Sequence, residues 1–170
     1  MKSIVAISGS ANSESSNTDF LKAVSQTFAS AYSITVVDDL GSLPLFTPQL
    51  QASGTPENVL KLRMKLANAD AVIISTPEYI HNIPAALKNA LEWITESGEL
   101  HEKPVLPITF TPAAPRGEFA MKSLLQSLSA LNAKVVAELP LYRNELPLAN
   151  GSLNEQSEQY ELLAEALTLL

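Results

Sequence analysis

Short runs of apolar residues alternate along the chain with segments in which apolar residues recur every three or four positions. Five such runs, rich in β-branched residues and bounded by turn-forming residues, predict strands of a sheet that is buried on both faces. These strands are expected near residues 4–7, 34–37, 71–74, 105–110 and 134–139. The intervening spacing predicts amphipathic helices. The helices are expected near residues 20–32, 59–66, 83–94, 121–131 and 160–170.

This alternation predicts a parallel sheet covered by helices on both faces and connected by right-handed crossovers. We therefore predict an α/β fold, a flavodoxin-like three-layer α/β/α sandwich with a five-stranded parallel sheet of order 2-1-3-4-5. It should form a single domain over residues 1–170. Ligands bind such sheets at the carboxyl ends of the strands, where the strand order reverses. The candidate site is therefore confined to the loops after strands one, three and four.

Two local features lie outside these loops. Residues 40–55 are predicted to be a loop, because glycines and prolines interrupt any regular pattern. The next helix is expected to start at Thr55-Pro56-Glu57, which offers an N-cap, a proline in the first turn and an acidic residue. Trp93 lies on the helix after the third strand, and we expect it to pack in the core or against another subunit.

The first loop, residues 9–18, is rich in hydroxyl groups and leads directly into a helix. Gly9 permits a sharp turn, and a helix N-terminus offers unpaired N–H groups to an anion. This combination favours a phosphate-binding loop that uses hydroxyl and N–H groups rather than Lys or Arg side chains. The patterns G-x-x-x-x-G-K-[ST] and G-x-G-x-x-G are both absent, which excludes a nucleoside-triphosphate loop and a dinucleotide turn. An ordinary loop with a serine N-cap explains the segment equally well, and Glu14 disfavours an anion unless it points outward.

The second loop, residues 76–84, lies between two prolines. Pro77 ends the strand, and Pro84 stands where the next helix begins. The segment between them presents backbone groups and the ring of Tyr79 to the predicted crevice. A flat heteroaromatic ring with polar edges could be held in this way.

The sequence T-P-E-Y-I-H-N-I-P-A-A-L-K-N-A-L-E-W, residues 76–93, resembles the signature P-E-Y-N-x-x-x-P-x-x-L-K-N-x-x-D-W of the NADPH-dependent FMN reductases. The first loop resembles the G-S-x-x-x-x-S-x-N segment of the same family, and residues 43–46 resemble its L-P-L-F stretch. The resemblance covers roughly the whole chain and weakens after residue 135. It implies an FMN-binding domain with oxidoreductase activity. Electrons would pass from NADPH or NADH through FMN to a flavin, quinone, azo compound or similar small acceptor.

The resemblance also implies three groups of FMN contacts, and no catalytic side chain. The phosphate would be bound by the first loop: Ser10, Ser16, Asn17 and Thr18. The flavin ring would be flanked by the second loop, largely through its backbone: Pro77, Glu78, Tyr79 and Ile80. The third loop, residues 111–118, would lie at the other side of the ring: Thr111 and Gly117.

Two side chains are candidates for the NADPH or substrate side of the site. Arg116 is the best cationic partner for a phosphate or an anionic substrate, with plain solvation as the alternative. His81 could donate to a substrate, although a solvent-facing loop histidine is the alternative. The chain departs from the family pattern at three places. Ile80 replaces an asparagine, His81 replaces a small residue, and an arginine often found near Ala11 or Asn12 is missing.

Two other functions are open to such a chain. A flavodoxin-type electron carrier without direct NAD(P)H oxidation would suit the acidic charge, because such carriers dock on basic partners. Against it, the first loop lacks the T-x-T-G-x-T pattern, and the third loop lacks an aromatic that would cover the flavin. A domain that has lost FMN is the third possibility, and the departures at Ile80, His81 and the missing arginine motivate it.

Composition argues against several other classes of protein. The net charge of −7 and the scattered basic residues argue against nucleic-acid binding. The absence of cysteine excludes disulfides and thiolate chemistry, and no spacing of His, Asp and Glu suggests a metal site. No apolar run approaches the ~20 residues of a membrane span, and the apolar N-terminal run is short for a signal peptide. We therefore expect a cytoplasmic location, and the resemblance implies a homodimer or homotetramer.

Overall fold

The computed structural model describes residues 1–148 and 151–170. The strands are β1 (Lys2–Ser8), β2 (Tyr32–Val37), β3 (Ala71–Thr76), β4 (Pro104–Thr111), β5 (Lys134–Val135) and β6 (Leu139–Tyr142). The α-helices are α1 (Ser16–Thr27), α2 (Pro48–Ser53), α3 (Glu57–Ala67), α4 (Ala85–Trp93), α5 (Glu118–Ala130) and α6 (Glu158–Thr168). A short 3-10 helix, Leu40–Ser42, follows β2.

The strands of the described ranges pair in parallel, in the order β2-β1-β3-β4-β5, with β6 also paired to β4. The predicted order 2-1-3-4-5 is confirmed. The fifth strand forms in two pieces. β5 pairs with the start of β4 at Pro104 and Val105, whereas β6 pairs with its end, from Ile108 to Thr111. Pro140 in β6 has no N–H to donate, and an edge strand tolerates that loss.

The sheet separates two apolar cores, which confirms the three-layer sandwich. Successive residues of β1 point to opposite faces, with Ile4 and Ala6 in one core and Val5 and Ile7 in the other. The first face, here called the α1 face, is covered by α1 and α6 through Phe20, Leu21 and Leu163. The second face, here called the α5 face, is covered by α3, α4 and α5 through Leu66, Leu87 and Leu124.

The predicted loop at residues 40–55 was wrong in part, because α2 lies within it. The Thr47 hydroxyl accepts a hydrogen bond from the Leu50 N–H at 3.1 Å, and Pro48 occupies the first turn. No residue of α2 is buried, so the helix has no apolar periodicity to reveal it. The start of α3 is also displaced by one residue. Pro56 is the cap residue, without a side-chain hydrogen bond, rather than Thr55.

The segment Leu43-Pro44-Leu45-Phe46 is held against α4. The Asn89 side chain accepts from the Phe46 N–H at 2.8 Å and donates to the Pro44 carbonyl at 3.0 Å. Trp93 also donates to the Pro44 carbonyl, at 2.8 Å, and its ring meets Phe46 edge to face. Trp93 is fully buried, which confirms its expected packing role in the core.

Candidate functional site

The three loops enclose a cleft at the carboxyl ends of the central strands, where the predicted strand order placed the site. Its volume is about 530 Å³, within the range of small-molecule and cofactor pockets. Most of the site residues expected from the sequence line it: Ser16, Pro77, Glu78, Tyr79, Ile80, His81, Thr111 and Arg116. Three residues that the sequence analysis did not single out line it as well: Phe110, Pro112 and Arg143.

The first loop ends at the N-terminus of α1, with Ser15 as the cap. The Ser15 hydroxyl accepts from the Thr18 N–H at 3.2 Å, so the serine N-cap expected as the ordinary explanation is present. The N–H groups of Ser16 and Asn17 have no acceptor in the part of the chain that the structure describes. A helix N-terminus with free N–H groups attracts anions, so the cap and a phosphate-binding role are compatible here.

Asn17 and Thr18 use their side chains within the protein. The buried Asn17 amide donates to the Phe110 carbonyl at 3.2 Å and accepts from the Ser75 hydroxyl at 2.7 Å. The Thr18 hydroxyl donates to Ser8 at 2.8 Å. These side chains therefore fix the first turn of α1 to β1, β3 and β4. Any contact of Asn17 with a phosphate would have to come from its backbone N–H.

Ser10 and Gly9 shape the start of the first loop. The Ser10 hydroxyl is buried and accepts from the Asn12 N–H at 3.2 Å. The Gly9 N–H donates to the Ser75 carbonyl at 2.7 Å. A Cβ at Gly9 would lie 2.9 Å from Leu87 Cδ2 and 3.1 Å from the Ser75 carbonyl oxygen, so a larger residue would require its neighbours to shift. The loop thus turns tightly before it reaches the cleft.

The second loop ends in a two-residue turn. Tyr79 and Asn82 exchange backbone hydrogen bonds of 3.0 Å each, and the residues between them have positive φ angles, 51° at Ile80 and 54° at His81. This is the geometry of a type I′ hairpin turn, which favours Asn and Gly. An isoleucine is rare at positive φ because its branched Cβ crowds the backbone. The asparagine that the resembling family has in place of Ile80 would therefore fit this backbone conformation better.

Glu78 ties the second loop to α5. Its carboxylate accepts from the N–H groups of Phe119 and Ala120, each at 3.0 Å, and so satisfies free donors at the helix N-terminus. His81 lies beside it, with Nδ1 3.6 Å from a Glu78 oxygen and its ring 4.5 Å from the Phe119 ring. Asn82 adds a further tie, because its side-chain oxygen accepts from the Ser123 hydroxyl. The Glu78 carboxylate therefore has a structural role in the loop.

The third loop is closed by Thr111 and Gly117. The Thr111 hydroxyl donates to the Arg116 carbonyl at 2.9 Å, and the peptide bond before Pro115 is cis. Gly117 has a φ of 104°, and a Cβ there would lie 2.8 Å from the Thr109 hydroxyl oxygen. Gly117 therefore permits the approach of α5 to β4, and the structure does not place it in the lining of the cleft.

The cleft is cationic although the protein is acidic. Arg116 and Arg143 both line it, and neither has an ion-pair partner within residues 1–148 and 151–170. The Glu78 carboxylate also lines the cleft, but it accepts hydrogen bonds from the N-terminal N–H groups of α5. Within the same ranges, no group of three or more His, Asp or Glu side chains could hold a metal ion.

These donors fit FMN. Free N–H groups at α1 and a cationic side chain suit a phosphate, while the Pro77–Tyr79 backbone and Pro112 offer an apolar surface with polar edges to a ring. The arrangement defines a flavodoxin-like α/β protein with a mononucleotide-type cleft. The chain matches the family model described as NADPH-dependent FMN reductase over residues 2–144 and belongs to that family. The match confirms the predicted family and its oxidoreductase class. It also confirms FMN as the cofactor and NAD(P)H as the co-substrate of that family.

Two proteins named as reductases are similar to this chain in sequence. A quinone reductase of Pseudomonas putida is 30% identical over 133 residues, which cover 76% of this chain and 71% of the relative. The NADH:(hydroxy)cinnamate reductase subunit CrdA of Vibrio ruber is 37% identical over 120 residues, which cover 70% of this chain and 59% of that longer protein.

Solved structures agree on the fold. The flavoenzyme NAD(P)H:(acceptor) oxidoreductase FerB from Paracoccus denitrificans superimposes with a TM-score of 0.85 at 23% identity, covering 99% of this chain and 95% of FerB. General stress protein 14 of Treponema denticola, solved in complex with FMN, superimposes with a TM-score of 0.63 at 13% identity over the full length of both chains. At these identities the likeness establishes the shared flavodoxin-like architecture.

Proposed function

We propose that this protein is an NAD(P)H-dependent FMN oxidoreductase that reduces a small quinone-type acceptor, with flavins and azo compounds as further candidates. The observation that carries the proposal is the meeting of three loops around one cationic cleft: the N-terminus of α1, the Pro77–Asn82 turn and the third loop. The quinone reductase name of several relatives supports the choice of acceptor.

FMN, when bound, supplies two-electron transfer between a nicotinamide and an acceptor. The residues of this chain bind and orient the partners. We propose that the N–H groups of Ser16 and Asn17 hold the phosphate, and that Pro77 to Ile80 flank the ring through their backbone. Thr111 and the third loop then define its other side. Arg116 and His81 stand at the open edge, where a nicotinamide and an acceptor would enter in turn. This arrangement requires no catalytic side-chain acid or base.

We further propose that the chain acts as a single FMN-binding domain in a homodimer or homotetramer. Three large apolar side chains are exposed near the cleft: Tyr79 at 56%, Ile80 at 98% and Phe119 at 46%. A second copy that covered them would also help to close the cleft. We propose a cytoplasmic location because the nicotinamide co-substrate is an intracellular metabolite. No helix in the described part of the chain is long and apolar enough to cross a membrane.

The test is a visible absorption spectrum of the purified protein after FMN is added and the excess is removed. We expect a retained flavin spectrum that bleaches on anaerobic addition of NADPH or NADH and returns when a benzoquinone is added. A retained spectrum that neither nicotinamide bleaches would instead identify the electron carrier. No retained flavin, with no FMN-dependent NAD(P)H oxidation, would contradict the proposal. The family match favours the reductase over the carrier.

A further inference from the structure

We propose that Arg143 supplies the cationic partner of the FMN phosphate, the role for which the first loop has no arginine of its own. The inference rests on the proposed function, because it assumes FMN in the cleft. It assigns a binding residue from the far end of the sheet, 127 positions after Ser16 in a chain of 170 residues.

The backbone connects Arg143 to the same end of β4 that holds the first turn of α1. Its N–H donates to the Thr111 carbonyl at 2.8 Å, at the end of β4. The preceding residue of β4, Phe110, accepts the hydrogen bond of the Asn17 amide at 3.2 Å. Arg143 and the start of α1 are therefore attached to adjacent residues of one strand. Ser16, the first residue of α1, and Arg143 both line the cleft.

The segments that follow the two cleft arginines pack on opposite faces of the sheet. The chain after Arg143 returns to the α1 face, where Leu146 is fully buried in the same core as Phe20 and Leu21. Arg116 instead leads through Gly117 into α5, which packs on the α5 face. Arg143 is thus the cleft arginine on the side of the proposed phosphate site, and Arg116 is the one on the side of the second loop.

The carboxylate of Glu145, two residues after Arg143, accepts a hydrogen bond from Gln159 rather than from Arg143. Gln159 is 7% exposed and bridges the turn after β6, accepting from the Tyr142 N–H at 2.8 Å and donating to Glu145. No carboxylate of the described ranges forms an ion pair with Arg143. The guanidinium therefore has free donors, and its fork geometry matches the oxygens of a phosphate monoester.

The experiment compares FMN with riboflavin, which has the same ring system and no phosphate. Dissociation constants are measured by quenching of flavin fluorescence for the wild type, Arg143→Gln, Arg143→Lys and Arg116→Gln. We expect Arg143→Gln to weaken FMN binding about tenfold and to leave riboflavin binding within about twofold, since a charge-assisted hydrogen bond is lost. Arg143→Lys should recover part of the FMN affinity. Arg116→Gln is the matched control and should leave the ratio of the two dissociation constants unchanged.

Three outcomes would overturn the inference. Equal weakening of FMN and riboflavin by Arg143→Gln would show a structural effect, which thermal unfolding of the apoprotein would reveal independently. Unchanged FMN binding would contradict the inference. A changed ratio of the KM values for NADPH and NADH would then assign Arg143 to the adenosine 2′-phosphate of NADPH. If the wild type binds neither flavin, both the proposed function and the inference are rejected. If the wild type binds flavin and Arg143→Gln binds FMN equally well, only the inference is rejected.

Discussion

The two sides of the cleft are here called the phosphate side and the ring side, after the parts of FMN that we propose they bind. They are built in different ways. On the phosphate side, buried side chains such as Asn17 and Thr18 fix the first turn of α1, whose Ser16 and Asn17 N–H groups have no acceptor in the described residues. On the ring side, an exposed turn at Ile80 and His81 has positive φ angles and is tied to α5 by Glu78. The phosphate side is therefore preorganised by the core, whereas the ring side depends on a strained surface turn.

The difference shows that the side chain of a motif residue can act within the protein rather than in the cleft. The asparagine of G-S-x-x-x-x-S-x-N is Asn17, and its side chain joins α1 to β3 and β4. The glutamate of P-E-Y is Glu78, and its carboxylate closes the N-terminus of α5. Changes at these residues should alter stability, while changes at free donors such as Ser16 should alter ligand affinity. The following predictions test that separation.

The largest effect is expected from Asn17→Ala. The change leaves the Phe110 carbonyl and the Ser75 hydroxyl without their partner in a buried place, so the free energy of unfolding should fall by about 2–4 kcal/mol. Urea denaturation of the apoprotein measures this loss. Asn12→Ala is the control, because Asn12 is exposed and its side chain accepts only the Glu14 N–H in the described residues, so its cost should stay below about 1 kcal/mol. Equal losses at the two positions would contradict the assigned role of Asn17.

Glu78→Ala should lower stability by about 1–2 kcal/mol, because two N–H groups of α5 lose their acceptor. It should also weaken FMN and riboflavin binding by the same factor, since the ring side contacts the part that the two ligands share. Glu118→Ala removes an exposed carboxylate at the same end of α5, which pairs only with the exposed Lys122 in the described residues, and should leave the stability nearly unchanged. A selective loss of FMN binding in Glu78→Ala would show that the carboxylate does not act through the ring side.

Ser16→Ala should leave the stability unchanged and weaken FMN binding about three- to tenfold, with riboflavin binding preserved. The Ser16 hydroxyl has no partner in the ranges that the structure describes, so the substitution removes only a hydrogen bond to the phosphate. Paired titrations of the two flavins, together with a melting curve, provide the measurement. If FMN affinity holds, the Ser16 hydroxyl does not contact the phosphate, and the backbone N–H groups remain its proposed donors.

The smallest effect is expected from Ile80→Asn, and it should be stabilising. Asparagine tolerates the φ of 51° better than a β-branched residue, so the free energy of unfolding should rise by about 0.5–1 kcal/mol. Ile80→Val keeps the branch at Cβ and should give no gain, which makes it the matched control. A stabilisation shared by both variants would point to the exposure of the isoleucine rather than to its backbone angle. Thermal unfolding at fixed protein concentration separates the two cases.

Local signals in the sequence determined the architecture. Strands buried on both faces need continuous apolar runs, and surface helices need an apolar stripe, so the positions of β1 to β4 and of the long helices could be predicted. The strand order and the loops that carry the site followed from that alternation. The exposed helix α2 was missed because a helix without a buried face has no periodic pattern. Its Thr47-Pro48 start was the one local signal that could have indicated it.

The sequence by itself thus determined most of the elements that form, which loops line the cleft and which family motifs they carry. Only the tertiary structure decided which side chains of those loops are free. Asn17 meets Phe110 across 93 positions, and Glu78 meets Phe119 across 41, so their partners depend on how separate strands bring the loops together. Arg143 reaches the cleft for the same reason, because β6 ends beside β4. Local patterns encode secondary structure, whereas the pairing of distant polar groups depends on the packed sheet.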